Sequence, residues 1–174
     1  LIVDGPGAIS DSSDGDTAPT ESCRRRLELR YPRKVAEAHD RAEADVLSLN
    51  KRATAAWETA NWEAYAAVMT DDIVVVDHRP ASLGTVEGRE AYIAATRILR
   101  EMLSDVTNST VTQYKVHPRG SVAQTLVRGD ADGSNFEIAF IALNTIRDGA
   151  MDRMELYPVE ELDTALARFD ELIG

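Results

Sequence analysis

The sequence predicts an α+β fold in which a curved antiparallel sheet wraps around N-terminal helices to form a cone. Three observations carry this expectation. Helical periodicity comes first in the chain, the apolar period changes after Ser104, and three consecutive turn signals separate β-branched, apolar runs.

Apolar positions at Val35, Ala38, Ala42, Val46, Leu49, Ala53, Ala56 and Ala60 step by three and four, which predicts one long helix. Ala60-Asn61 interrupts it. Trp62, Tyr65, Ala66 and Met69 predict a second, shorter helix ending at Thr70-Asp71-Asp72, before a strand from Ile73 to Asp77. A loop runs through Gly84, and Glu87-Gly88-Arg89-Glu90 opens a third helix with Tyr92, Ala95, Thr96, Leu99 and Leu103 on its inner face. After Ser104 come the runs Val106 to Val116, Val122 to Gly129, Phe136 to Ile146 and Met151 to Tyr157. The turn signals between them are His117-Pro118-Arg119-Gly120, Asp130-Ala131-Asp132-Gly133 and Arg147-Asp148-Gly149-Ala150. Leu162, Ala165, Leu166, Phe169 and Leu172 mark a C-terminal amphipathic helix beginning near Pro158.

A chain of 174 residues supports one domain with a real core, here expected over residues 34–174. Of the first 22 residues, 15 are Gly, Ser, Asp, Pro or Thr, a composition that buries too little apolar surface to offset chain entropy. Residues 1–33 are therefore expected to be a flexible tail or linker, acidic and then basic, with Arg24, Arg25, Arg26, Arg30 and Arg33 in its second part and a short strand possible at Leu27, Leu29 and Tyr31. The Leu start suggests a piece excised from a longer chain. A net charge of −11 and a pI near 4.7 argue against nucleic acid and anionic membrane as partners. Cys23 is the single cysteine, so no intrachain disulfide forms and a reducing cytoplasm is the expected location. No apolar stretch approaches a membrane span. His39, His78 and His117 are widely separated, and neither a metal site nor a cofactor is expected.

The stretch Ala56 to Tyr65, the segment Met69-Thr70-Asp71-Asp72-Ile73-Val74-Val75-Val76-Asp77 and the helix start Glu87-Gly88-Arg89-Glu90-Ala91-Tyr92 together resemble the nuclear transport factor 2-like superfamily. That group includes SnoaL-like polyketide cyclases, ketosteroid isomerase and limonene epoxide hydrolase, and the resemblance runs roughly from Val46 to Tyr157. The closing stretch Glu155 to Glu171 resembles actinobacterial SnoaL-like modules. The resemblance implies a cone-shaped, cystatin-like α+β barrel and a pocket for a small apolar or polyketide-like molecule. It also places Asp77 where the isomerases carry their general base. Ala53 stands near the position of the isomerase Tyr, and Ala142 or Leu143 near that of its protonated Asp, so the oxyanion donors are missing and steroid isomerisation is not expected.

Read from the residues, strand alternation puts Ile73, Val75, Asp77 and Arg79 on one face and Val74, Val76 and His78 on the other. Asp77 with Arg79 is then either an acid/base carboxylate beside a cation or a strand-end ion pair, and His78 is a further candidate partner. Asn144 is a polar group on the apolar row Phe136, Ile138, Phe140 and Ala142, able to orient a ligand carbonyl or to serve as a satisfied sheet amide. On the last strand Arg153, Glu155 and Tyr157 oppose Met154 and Leu156, and either row is free to line the mouth. Trp57, Tyr65 and Tyr92 lie on the closing helices, as core or as lining. The candidate site is thus Asp77, Arg79 and His78 for chemistry, with Trp57, Tyr65, Tyr92, Phe140, Asn144 and Glu155 for ligand. Two functions follow as expectations: a ligand-binding sensor or assembly module, or a cofactor-free cyclase, isomerase or hydrolase using Asp77. A homodimer is expected too, because the superfamily commonly pairs through the outer sheet face and both faces of the meander carry apolar residues, Ile141 and Leu143 opposite Phe140 and Ala142.

Overall fold

The computed structural model of the protein describes residues 33–80, 82–131 and 133–174, with side chains from residue 39 onward, and residues 38–174 form the unit discussed below. The tail or linker, the basic segment with its possible strand and Cys23 lie outside the described residues.

Helix α1 (Arg33–Glu58) buries Val46, Leu49, Ala53, Ala56 and Trp57, which are members or direct neighbours of the predicted stripe. It stops because Ala60 turns to φ 52° and the Asn61 N–H closes onto the Ala56 carbonyl at 2.8 Å. Asn61 then starts α2 (Trp62–Ala66) by accepting the Ala64 N–H on its side-chain oxygen at 3.1 Å. The next strand, β1 (Met69–Asp77), is longer than the sequence suggests. Thr70-Asp71-Asp72, read as a helix end, lies in its first half, with Asp71 and Asp72 exposed. A second difference is β2 (Thr85–Glu87), a three-residue strand that pairs antiparallel with β1 where a plain loop was expected.

Helix α3 (Arg89–Glu101) is fixed at its first residue. Arg89 donates to the carbonyls of Ala66 (3.4 Å) and Met69 (3.2 Å) and pairs with Asp71, so one guanidinium joins the end of α2, the start of β1 and the start of α3. Gly88 makes the approach possible at φ 89° and ψ 139°, while its N–H donates to the Ile73 carbonyl at 2.8 Å. The Asp-Asp and Gly-Arg elements of the recognised pattern therefore touch each other.

Strands β3 (Ser104–His117), β4 (Gly120–Ala131), β5 (Ser134–Arg147) and β6 (Ala150–Tyr157) form the expected antiparallel meander. The sheet order is β2-β1-β6-β5-β4-β3. One pair departs from the antiparallel expectation: β6 returns beside β1 in the same direction, so β1 and β6 run parallel. Register irregularities after Ser104, Thr110 and Gln113 bend β3 against β4 and give the unclosed sheet its curvature. The chain ends in a 3₁₀ turn (Val159–Glu161) and helix α4 (Leu162–Ile173).

Period-2 alternation divides the side chains between two cores. The concave face packs Val75, Val127, Phe140, Met151 and Leu156 against α1, α2 and α3 through Leu49, Trp57, Tyr65 and Tyr92. The convex face packs Val122, Ile141, Leu143 and Tyr157 against Ala165 and Phe169 of α4. Arg119 holds that helix by donating to the carbonyls of Ile173 (2.9 Å) and Leu172 (3.3 Å), and Lys115 pairs with Asp170. The argument for a homodimer from surplus apolar surface is corrected here. Ile141 and Leu143 are 0% exposed because α4 covers them, so they offer nothing to a second copy. Among the described residues no helix is long and apolar enough to cross a membrane.

Two glycines give a test of this architecture. Gly120, at φ 151°, leaves no room for a side chain: a Cβ there would lie 2.2 Å from the Asn144 carbonyl oxygen, whereas one on Gly88 meets nothing closer than 3.8 Å. Gly88→Ala is expected to cost about 1 to 3 kcal/mol from backbone strain alone. Gly120→Ala, which adds a collision between strands β4 and β5, should cost more. Urea unfolding of the two variants measures the order, and a smaller loss for Gly120→Ala would contradict the register.

Candidate functional site

Between the concave face and helices α1 to α3 lies a cavity of about 380 Å³. Its floor is small because β4 and β5 place Ala123 opposite Ala142, and α1 contributes Ala53. Phe136, Ile138, Leu83, Leu99 and Leu103 line it further, and Thr54, Thr110 and Thr125 add hydroxyls. The volume suits a small-molecule site.

Strand β1 delivers Asp77 and Arg79 to this cavity on the same face as Val75, as alternation requires. Four donors meet the Asp77 carboxylate: Arg79 Nε and Nη2 at 2.8 Å each, the Arg79 N–H at 3.2 Å and the Leu83 N–H at 3.4 Å. Burial by itself would raise the Asp77 pKa. The hydrogen bonds and charge of Arg79 and the two backbone N–H groups outweigh it, and the pKa is lowered. The Asp77 side chain is 1% exposed and that of Arg79 24%, so Arg79 is the more accessible member of the pair. Arg79 also lies over the Phe140 ring, 4.6 Å from its centroid, which fixes the plane of the fork.

The aromatic residues expected at the site are there. Trp57, Tyr65, Tyr92 and Phe140 all line the cavity. The Trp57 Nε1–H donates to Thr96 Oγ1 at 3.1 Å, and the hydroxyls of Tyr65 and Tyr92 are 3.3 Å apart. Burial foremost raises both tyrosine pKa values, so both are neutral phenols at ordinary pH. Asn144 also faces inward, in a polar cluster whose other members sequence reasoning missed. Asn50 donates to Ser121 Oγ at 2.8 Å, Asn144 donates to Asn50 Oδ1 at 3.0 Å, and Ser121 Oγ donates to Asn144 Oδ1 at 3.3 Å. Asn50 could have been suspected as a polar residue beside Leu49 on the buried stripe. Ser121 carries no local signal.

His78 and Glu155 are not in the cavity, which corrects their assignment. Glu155 stands between Met154 and Leu156, the inward row of β6, and so points to the convex face, where His78 also lies by the alternation of β1. There Glu155, 2% exposed, accepts from His78 Nε2 (3.2 Å), Arg168 Nε (3.3 Å), Arg153 Nε and the Tyr157 hydroxyl. His78 stacks on Tyr157 with centroids 4.3 Å apart. Burial would raise the Glu155 pKa, but the hydrogen bonds from Tyr157, Arg153 and His78 and the Arg153 charge lower it from 4.5 to about 2. This cluster ties α4, through Arg168, to the back of the strand that lines the cavity.

Solved structures share this architecture. A Mycobacterium tuberculosis protein solved in complex with estradiol-17beta-hemisuccinate is 16% identical, with a TM-score of 0.57 over 65% of this chain and 92% of that one. A Catenulispora acidiphila protein with a ketosteroid isomerase-like fold, solved in complex with trimethylamine, is 21% identical, with a TM-score of 0.55 over 70% of this chain and 92% of that one. Delta 5-3-ketosteroid isomerase from a Mycobacterium species is 14% identical, with a TM-score of 0.58 over 67% of this chain and 95% of that one. At these identities the likeness is one of fold, and the fold is that of the nuclear transport factor 2-like superfamily. Comparison with curated proteins gives no match. The SnoaL-like domain family matches residues 51–154, and the chain belongs to it.

Glu155 yields a pH prediction. Its folded pKa lies below its ordinary value, so its contribution to stability is complete above about pH 4.5 and disappears as the pH falls toward 2. Glu155→Gln should therefore lower stability at pH 7 by about 2 kcal/mol or more, since Arg153 and Arg168 lose their shared partner. Urea melts of both proteins at pH 7, 4 and 2.5 should show the difference between them shrinking with acid. A constant difference would mean that the ionised form contributes nothing.

Proposed function

We propose that this SnoaL-like domain binds a small, largely apolar molecule in its cavity, with Arg79 as the polar anchor and without acid/base chemistry at Asp77. One observation carries the reading: the Asp77 carboxylate is covered by four donors, while the Arg79 guanidinium remains open to the cavity. A general base must come within hydrogen-bond reach of the proton it removes, and a carboxylate already filled and depressed in pKa is poorly suited to take one. Asp77 acts instead by orienting Arg79.

The remaining lining fits a binding role. Trp57, Tyr65, Tyr92 and Phe140 provide flat apolar walls, and Asn144 in its amide cluster offers a polar contact at another point of the surface. Ala53 and Ala142, where the isomerases were expected to place oxyanion donors, present only methyl groups to the cavity. Relatives of the same fold, solved with a steroid ester and with trimethylamine, support a ligand site in such a cone.

Titration with Nile red, a neutral apolar fluorophore, tests the reading. The protein should bind it saturably at one equivalent. Ala123→Phe, which fills the floor opposite Ala142, should weaken binding about tenfold or more while the fold is retained by circular dichroism. Unsaturable binding, or binding indifferent to Ala123→Phe, would place the dye elsewhere and overturn the proposal.

A further inference from the structure

We infer that the cavity selects neutral ligands bearing a hydrogen-bond acceptor, such as an aromatic or alicyclic ketone, over carboxylates of the same shape, with Arg79 Nη1 as the donor. The inference rests on the binding role proposed above and specifies its ligand class.

The geometry of one guanidinium leads to it. Nε and Nη2 are committed to the two oxygens of Asp77, and the Phe140 ring lies against the face of the fork. Nη1 has no acceptor among the described residues. Its two N–H groups cannot be swung elsewhere without breaking the paired bonds on the other side. A cationic donor is therefore held in place, on a partly exposed residue, in an otherwise mainly apolar pocket.

Charge decides which acceptor it takes. Among the described residues lining the cavity, Arg79 and Asp77 are the only ionised side chains, so the wall carries no net charge. A ketone oxygen on Nη1 gains a charge-assisted hydrogen bond and leaves that balance intact. A carboxylate meets a cation that is already neutralised. It must either share the guanidinium with Asp77, placing two anions on one cation, or displace Asp77 and leave a buried carboxylate without its partner. A hydrocarbon of the same shape leaves the donor unfilled.

Three tricyclic probes of nearly constant shape separate these cases: 9-fluorenone, fluorene and fluorene-9-carboxylate, titrated by calorimetry into the protein. The expected order is fluorenone tightest, by about tenfold or more over fluorene, with the carboxylate no tighter than fluorene. In the double variant Asp77→Asn/Arg79→Gln, which keeps the shape and removes both charges, the ratio of fluorenone to fluorene affinity should fall toward one. If Nile red binds and Ala123→Phe excludes it, but the carboxylate binds as tightly as the ketone or the ratio survives in the variant, the ligand class is wrong and the binding role stands. If neither Nile red nor any of the three probes binds, both fail together.

Discussion

A sheet with apolar residues on both faces must be covered twice, and this constraint organises the whole domain. The convex side is met cheaply in sequence length: α4 lays Ala165 and Phe169 onto Val122, Ile141 and Leu143, and Arg119 closes its last carbonyls. The concave side is covered by helices that cannot follow the curvature closely. Small residues on the floor, Ala53, Ala123 and Ala142, widen the gap. A cavity lined by aromatic and aliphatic side chains is the result. Leu→Ala changes at a dense core cost about 2 to 5 kcal/mol because the cavity they leave stays empty. A cavity that the fold itself leaves open is held by the same stiffness, through the Arg89 junction and the Trp57 to Thr96 bond.

Most of this frame was legible in the sequence because it depends on periods. Steps of three and four placed α1 on its buried face, and the change after Ser104 separated helices from meander. The alternation of β1 assigned Asp77 and Arg79 to one side and His78 to the other, as the structure has them. What alternation could not supply was the sign of each row. On β6 both rows were usable, one aliphatic and one mixed, and Glu155 was therefore assigned inward when it faces α4. Short-range patterns also say little about a three-residue strand: Thr85-Val86-Glu87 between two glycines looks like the loop around it. The parallel pairing of β1 with β6 and the Asn50, Ser121 and Asn144 cluster join residues far apart in the chain, with no local trace of the contact.

The family pattern itself acquires a physical meaning from Arg89. Its guanidinium bonds two carbonyls and Asp71 where three elements meet, and Gly88 supplies the backbone turn that brings it there. The Asp-Asp and Gly-Arg signature thus specifies a fold junction on the outer end of β1. It does not touch the cavity, which is why the signature identified the architecture and left the activity open.

Two carboxylates, Asp77 and Glu155, sit on opposite faces of the sheet with the same electrostatic logic and different consequences. Each is buried, and each has its pKa lowered, Asp77 by Arg79 and Glu155 by the hydrogen bonds of Tyr157, Arg153 and His78. At Glu155 two cations share one acid: Arg153 and Arg168 converge on one oxygen, and Arg168 binds Glu171 as well. The cluster docks α4 through Arg168. At Asp77 the stoichiometry is one carboxylate to one guanidinium, and Nη1 of Arg79 has no acceptor among the described residues. The two pairs therefore differ in where they stand: Glu155 lies between the sheet and α4, whereas Asp77 and Arg79 line the cavity.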